Sequence, residues 1–530
     1  MLNPILQVNN LTIAFDKVVV KDVSFSVYPG QTTAIVGESG SGKTVTSTAL
    51  MGLLPSSGRI ISGEIKGVNR LDYLKNGSPV GTEISMVFQD PMSSLNPSMR
   101  VGNQVGESLR LHLGLNAREA TQRVIELFTE VELPSPKDIL NKYPHELSGG
   151  QKQRVMIAMA LACEPSVLVA DEPTTALDVT VQATILKLLQ KLQKERNLGV
   201  LFISHDLEVV RSIAQHVIVM RFGEIVEQGL CLDVLDNPSH EYTIELINSR
   251  PKKICEGGVD SLKSLIEVKN LSLEFTTSRN FWGNPTNRLK AVDNVSFVIN
   301  KGERVGVVGE SGCGKSTLGL LMLGLEKPSQ GEVLWRNKVL HAEDEKSLRE
   351  FRREAQPVFQ DPFSALNPRM KIGKAICEAI RQTFEGKKLS RSQQLEEAKS
   401  LLLEVGLQEE DIEKYPSSFS GGMRQRIVLA RALAVKPIFL ILDESVAALD
   451  LRIQSQILEL LSEIQKNRSL AYLFISHDLD VIHAVCDRVL VMKNGKIIEE
   501  GSTDEVFNSP VDSYTKLLLE SRPGKLNFAS

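Results

Sequence analysis

Residues 32–50 read TTAIVGESGSGKTVTSTAL, and residues 304–322 read RVGVVGESGCGKSTLGLLM. Each begins with a short apolar run, passes through Gly-x-x-x-x-Gly-Lys-Thr or its Ser-ending equivalent, and continues into a stretch suited to a helix. Strand, glycine loop and helix in this order open a unit of parallel α/β sheet. The residue types suit a phosphate: Gly37, Glu38, Ser39, Gly40, Ser41 and Gly42 let backbone N–H groups wrap it, Lys43 pairs with the β and γ groups, and Thr44 reaches Mg²⁺. Gly309, Glu310, Ser311, Gly312, Cys313, Gly314, Lys315 and Ser316 repeat the arrangement. With glycine near 7% of residues, one chance match in a chain this long has a probability of roughly 2%, and two matches in the same context leave a mere glycine turn negligible.

The two stretches are landmarks of a longer repeat. Lys43 and Lys315, Ser148 and Ser420, Asp171 and Asp443, His205 and His477, and Tyr242 and Tyr514 are all 272 positions apart. The spacing slips to 271 at Gln89 and Gln360, a compensated one-residue deletion. Upstream, Phe15 and Phe275 are 260 apart, so the second copy carries 12 extra residues within TTSRNFWGNPTNR at 276–288. The Gly, Pro, Asn and Ser content of that stretch predicts a surface loop. The expected organisation is therefore residues 1–250, a polar linker at 251–264 with Gly257 and Gly258, and residues 265–530.

The bulk numbers disfavour some classes. Lys and Arg total 61 against 65 Asp and Glu, a net charge of −4, which gives no electrostatic reason to expect a nucleic-acid partner. Six cysteines are scattered singly, which suggests neither a disulfide framework nor a zinc site. No apolar run approaches the roughly 18 residues of a membrane span, and the N-terminus lacks a leader pattern, so service to a membrane is expected to be by docking.

Between the landmarks lie further chemistry-bearing residues. VLVADE at 167–172 and FLILDE at 439–444 put an Asp and a Glu at the end of a buried strand, where Asp171 or Asp443 can hold Mg²⁺ and Glu172 or Glu444 can accept a proton from water. SGG at 148–150 and 420–422 opens a helical run, and a helix start with a hydroxyl and unhindered N–H groups suits a phosphate. Read singly, an acidic pair at a strand end is more often a solvated turn, a balance that the phosphate loop reverses, and Ser-Gly-Gly is more often a cap than a ligand site.

In this order, and twice over, phosphate loop, Gln, SGG, Asp-Glu strand, Leu-Asp and His resemble the ATP-binding cassette (ABC) ATPases along nearly the whole chain. The resemblance implies two tandem cassettes of α/β class, each with a mainly parallel core sheet, a small antiparallel β subdomain and a helical subdomain. It implies that each ATP is shared between the phosphate loop of one cassette and the SGG motif of the other. Lys43, Gln89, Asp171, Glu172 and His205 would then act with Ser420, Gly421 and Gly422, and Lys315, Gln360, Asp443, Glu444 and His477 with Ser148, Gly149 and Gly150. It assigns Gln89 and Gln360 to Mg²⁺ sensing and to the membrane subunits, His205 and His477 to the γ-phosphate, and Asp178 and Asp450 to signalling between cassettes. Adenine would stack on an aromatic residue early in each cassette: Phe15 and Phe275 sit near the place, a core role fits them equally, and Phe281 or Trp282 could replace Phe275.

FQDPMSSLNP at 88–97, FQDPFSALNP at 359–368, SHEYT at 239–243 and DSYT at 512–515 narrow the resemblance to bacterial dipeptide and oligopeptide importers, including the fused form that carries microcin C-like peptides. That implies a subunit at the cytoplasmic face of the inner membrane, working with two membrane permeases and a periplasmic peptide-binding protein. Cys255 stands alone where relatives carry a cysteine-rich segment, so no iron-sulfur cluster is expected. The alternative is a soluble twin-cassette protein acting on ribosomes or DNA, which would call for a long charged helical linker or a coiled-coil or zinc insertion; the sequence shows none. The second copy also departs from the first after its Asp-Glu pair, with Ser445, Val446 and Ala447 where Pro173, Thr174 and Thr175 stand. Proline fixes φ and serine does not, so a looser turn and a slower second site are expected.

Overall fold

The computed structural model describes residues 3–67, 72–76, 80–174, 177–249, 253, 263–279, 285–341, 344–359, 361–446 and 449–525. Gln360, Cys255, Phe281, Trp282, Thr175, Ala447 and all of the expected linker except Lys253, Lys263 and Ser264 lie outside the described residues. The chain divides into two compact units, one of Met1–Arg250 with the C-terminal residues from Ser521, the other of Pro251–Glu520.

In the first unit the strands are β1 (Leu6–Ala14), β2 (Val18–Val27), β3 (Thr32–Val36), β4 (Arg59–Lys66), β5 (Ile84–Val87), β6 (Val167–Asp171), β7 (Gly199–Ile203), β8 (His216–Arg221) and β9 (Glu224–Leu230). Among the described residues they form an antiparallel sheet β2-β1-β4 and a six-stranded sheet β5-β6-β7-β3-β8-β9, parallel except for β9. The parallel strands are continuous apolar runs because both faces are covered. Along β6, Val167 and Val169 join Ile35, Leu201 and the antiparallel sheet, while Leu168 and Ala170 join Val36, Phe202 and the helices. Ile185, Leu188, Leu189 and Leu192, at helical spacing, bury one face of the helix Val179–Arg196 on that second side. The helical subdomain holds Val101–Leu113 and Ala117–Glu130, the latter opened by a capping box between Asn116 and Glu119.

This topology brings distant motifs to one edge. β3 lies between β7 and β8, and β6 lies beside β7. Ile203 is level with both Ile35 and Asp171, so the phosphate loop, the Asp-Glu pair and His205 all leave the sheet at neighbouring carboxyl ends. Ligands of open α/β sheets bind in the crevice outside those ends.

The second unit repeats the plan with β10 (Ser264–Arg279), β11 (Pro285–Asn300), β12 (Arg304–Val308), β13 (Gln330–Trp335), β14 (Lys338–Val339), β15 (Ala355–Val358), β16 (Phe439–Asp443), β17 (Ala471–Ile475), β18 (Arg488–Lys493) and β19 (Lys496–Ser502). They pair as β11-β10-β13-β14 and β15-β16-β17-β12-β18-β19 among the described residues. Two differences from the first unit stand out. The surface loop predicted at 276–288 is largely strand: Thr276 pairs with Arg288, Ser278 with Asn287 and Arg279 with Pro285, extending the β10-β11 hairpin. Its β-branched threonines favour the ladder, and Pro285 sits at a strand start, where a missing N–H is tolerated. At the start of the central strand, Thr32 N–H donates to Gln215 at 2.7 Å in the first unit. In the second, the Arg304 guanidinium and N–H make three bonds of 2.7–3.1 Å to Asp487, with the Arg304 side chain only 3% exposed.

Candidate functional site

The phosphate loops need glycine at their first position. Gly37 has φ 152°, and a Cβ there would lie 2.3 Å from the Met220 carbonyl oxygen; Gly309 has φ 154° and the same conflict with Met492 at 2.2 Å. The close turn aims carbonyl groups inward. Lys43 Nζ donates to the Gly37 and Glu38 oxygens at 2.7 and 2.8 Å, and Lys315 Nζ to those of Gly309 and Glu310 at 2.7 and 2.9 Å. Both lysines are buried. A buried cation cradled by loop backbone at a helix start is suited to an incoming anion.

Beside each loop stands the acidic pair. Asp171 is buried, with no hydrogen-bond partner for its Oδ1 among the described residues. Burial, and then the neighbouring Glu172 carboxylate, push its acid up to about 6, against the Thr44 hydroxyl and Lys43. Burial likewise raises Asp443, whose Oδ1 accepts the Ser316 hydroxyl at 3.1 Å. The next residue turns sharply: Glu172 and Glu444 have φ 45° and 47°, in the left-handed region that side chains avoid. Glu172 N–H stays tied to Ile203 at 2.9 Å while its carboxylate accepts Gln89 Nε2 at 2.7 Å and lies 3.1 Å from His205 Nδ1. Burial lowers the His205 pKa, but Glu172 outweighs it and the net shift is upward. In the second unit Glu444 and His477 stand 3.3 Å apart; the histidine holds the Glu444 acid below its ordinary value against burial, and His477 is itself raised.

The segment after the acidic pair differs between units. Thr174 Oγ1 accepts Gln182 Nε2 at 3.4 Å. The Val446 side chain offers no acceptor, and the matching Gln454 donates to Asp478 at 3.3 Å, next to His477. Ser445 is buried with no partner for its hydroxyl among the described residues.

Each SGG motif caps a helix. Ser148 accepts Gln151 N–H at 3.3 Å at the start of Gly149–Leu161, and Ser420 accepts Met423 N–H at 3.4 Å at the start of Gly421–Leu433. The two glycines differ. A Cβ at Gly150 would lie 2.6 Å from Val181 Cγ1, and at Gly422 2.3 Å from Ile453 Cγ2, whereas among the described residues Gly149 and Gly421 have only ordinary contacts at 3.5 and 3.9 Å. Val181 and Ile453 are the residues whose N–H groups Asp178 and Asp450 cap, at 3.0 and 3.1 Å. The Leu-Asp motif is thus also a helix cap whose first turn presses on the SGG helix.

Phe15 is half-buried and packs on the core of the antiparallel sheet, against Gly58. Phe275 is 42% exposed and pairs across β10-β11 with Leu289. Sequence reasoning missed Tyr242 and Tyr514 as site residues. Each hydroxyl accepts a phosphate-loop N–H at 3.0 Å, from Glu38 and Glu310 respectively. The only sequence signal was their recurrence inside SHEYT and DSYT.

A family model described as ABC transporter matches residues 20–175 and 292–447, more than half of the chain. The chain belongs to the ABC transporter family. As an ABC ATPase it binds ATP and hydrolyses it. A model for the C-terminal region of oligopeptide/dipeptide transporters also matches residues 226–258 and 498–525. A peptidoglycan transport ATP-binding protein, YejF, of Agrobacterium fabrum is 42% identical over 97% of this chain and 96% of its own length. An uncharacterized ABC transporter ATP-binding protein, YejF, of Escherichia coli K12 is 42% identical over 98% and 99%. A glutathione import ATP-binding protein, GsiA, of the same strain is 41% identical over 98% and 89%.

Proposed function

We propose that this ABC ATPase energises peptide import through partner permeases, with two hydrolytic sites built on the residues described above. The observation that carries the proposal is the meeting of Glu172 with Gln89 and His205 beside Lys43 and Asp171, at one sheet edge, echoed in the second unit by Glu444, His477, Lys315 and Asp443. Peptide as the cargo class is supported by the C-terminal region match and by relatives named for peptidoglycan and glutathione transport. Two membrane permeases and a periplasmic peptide-binding protein complete the system, with the chain at the cytoplasmic face of the membrane. Among the described residues no helix is long and apolar enough to cross a membrane.

The residues fit Mg²⁺. A buried carboxylate whose acid is raised by burial and by a second carboxylate, and which faces a hydroxyl, is relieved by a cation. Thr44, Gln89 and Asp171 would hold it in the first site and Ser316, Gln360 and Asp443 in the second. Bound with ATP, it supplies charge neutralisation of the phosphates. Lys43 and Lys315 exchange loop carbonyls for phosphate oxygens. Glu172 and Glu444 take the proton from the attacking water, held in place by Gln89 and the histidines. Ser148 and Ser420, with the glycines that follow, contribute helix-start donors to the γ-phosphate.

Reconstitution with the two permeases in liposomes tests the reading. ATP-dependent uptake of a labelled peptide and hydrolysis stimulated by it are expected. Hydrolysis indifferent to permeases and peptide, with stable binding to ribosomes, would overturn it.

A further inference from the structure

We infer that Tyr242 and Tyr514 are positioning residues for ATP binding, each bracing the peptide bond that holds the phosphate-loop lysine. The inference rests on the reading of 37–44 and 309–316 as phosphate loops.

The Gly37–Glu38 peptide is pinned at both ends. Its carbonyl oxygen accepts Lys43 Nζ at 2.7 Å, and its N–H donates to the Tyr242 hydroxyl at 3.0 Å. The Gly309–Glu310 peptide is pinned in the same way by Lys315 at 2.7 Å and Tyr514 at 3.0 Å. Both tyrosines are buried, so their hydroxyls are set by the fold. A cation lies over each ring, the Arg221 guanidinium at 4.6 Å and Lys493 Nζ at 4.5 Å, from the end of the strand whose carbonyl excludes a Cβ at Gly37 or Gly309. The helix that carries each tyrosine is anchored in turn. Glu227 of β9 accepts the Ser239 and His240 N–H groups at 2.8 and 3.2 Å, and Glu499 of β19 accepts those of Val511 and Asp512 at 2.8 and 3.0 Å. All four anchoring residues, Glu227, Tyr242, Glu499 and Tyr514, lie in the segments matched by the C-terminal region model. The peptide-transporter extension therefore reaches the nucleotide loop directly: β9 or β19, then the tyrosine helix, then the peptide bond at the lysine.

Without the hydroxyl, the loop N–H loses a buried acceptor and the peptide is held chiefly by the lysine at its carbonyl end, which loosens the place of Lys43 or Lys315. The ring stays, so the core is preserved. The test is the full chain carrying Tyr242→Phe and Tyr514→Phe together, with Lys43→Ala and Lys315→Ala as a separate control. A KM for ATP and an equilibrium constant for ATP both weakened about tenfold, with kcat within twofold of the parent, and faster exchange of the Glu38 and Glu310 amides, are expected. An unchanged KM and binding constant, or a fall in kcat at unchanged affinity, overturns the brace. If the lysine double variant still binds ATP normally, the phosphate-loop reading itself fails, a separate result.

Discussion

Adjacent glycines of each SGG motif should fail differently when given a methyl group. At Gly150 the new Cβ would lie 2.6 Å from Val181 Cγ1, and at Gly422 2.3 Å from Ile453 Cγ2. Both neighbours are β-branched on a helix and stiff at χ1, so the contact is relieved only by moving one helix from the other. Overpacking of this kind costs about 1–3 kcal/mol, against which alanine returns up to about 1 kcal/mol in helix propensity. Gly150→Ala and Gly422→Ala should each lose about 1–2 kcal/mol net, with Gly422→Ala the worse. For units of this size that is a fall of roughly 2–8 °C in the melting transition of the affected unit. Gly149→Ala and Gly421→Ala meet only ordinary contacts at 3.5 and 3.9 Å among the described residues and should keep or slightly raise stability. Their loss should appear in ATP hydrolysis, because the methyl crowds the helix start where the phosphate is proposed to sit. Differential scanning calorimetry of the full chain, with steady-state hydrolysis on the same samples, reads both effects. A Gly149→Ala chain that melts as low as Gly150→Ala, or a Gly150→Ala chain of parental stability, would refute the division between a packing glycine and a ligand-facing one.

Removing one of the carboxylates should expose the difference between the two sites. The two glutamates share one backbone geometry, with φ 45° and 47° and each N–H bonded to an isoleucine carbonyl at 2.9 Å. Any asymmetry therefore lies in the segment that follows, where the Ser445 hydroxyl is unbonded among the described residues and Gln454 turns to Asp478. On that ground Glu172→Gln should cost more hydrolysis than Glu444→Gln, and equal single losses would count against the asymmetry. At the base of the second sheet, Asp487→Ala leaves the buried Arg304 without its carboxylate and should cost about 3 kcal/mol, whereas Gln215→Ala removes a neutral acceptor worth about 1 kcal/mol; comparable shifts in urea unfolding would show that the Arg304 pair is solvated. Burial pushes the Cys231 thiol up to about 11 from an ordinary 9. The raised value depletes the thiolate, so maleimide labelling at pH 8 should run about a hundredfold below a free thiol and climb with pH; labelling at the free-thiol rate would contradict the packing around Cys231.

Much of the candidate site's convergence was legible because its parts are strand ends, and an apolar run followed by a glycine loop with Lys, by Asp-Glu or by Ser-His marks a strand end without knowledge of the sheet order. The sheet order then did the assembly, placing β6 beside β7 and β7 beside β3, so that residues far apart in sequence meet at one edge. What could not be read were roles that depend on a partner from elsewhere in the chain. Gly150 suits a phosphate by its type, yet its neighbour Val181 is what forbids a side chain there. Tyr242 is 204 positions from Glu38, and nothing in SHEYT points to the phosphate loop. The 276–288 stretch misled by composition: its turn-forming residues predicted a loop, whereas pairing with the opposite arm carries most of it as strand.

Hydrolysis at two sites by Glu172 and Glu444 is the proposal on which the transport reading turns. The most direct measurement is the number of ATP bound per chain and the steady-state rate of phosphate release in a Glu172→Gln, Glu444→Gln chain. Two ATP retained and turnover lost are expected; parental turnover in that double variant would contradict hydrolysis by these carboxylates.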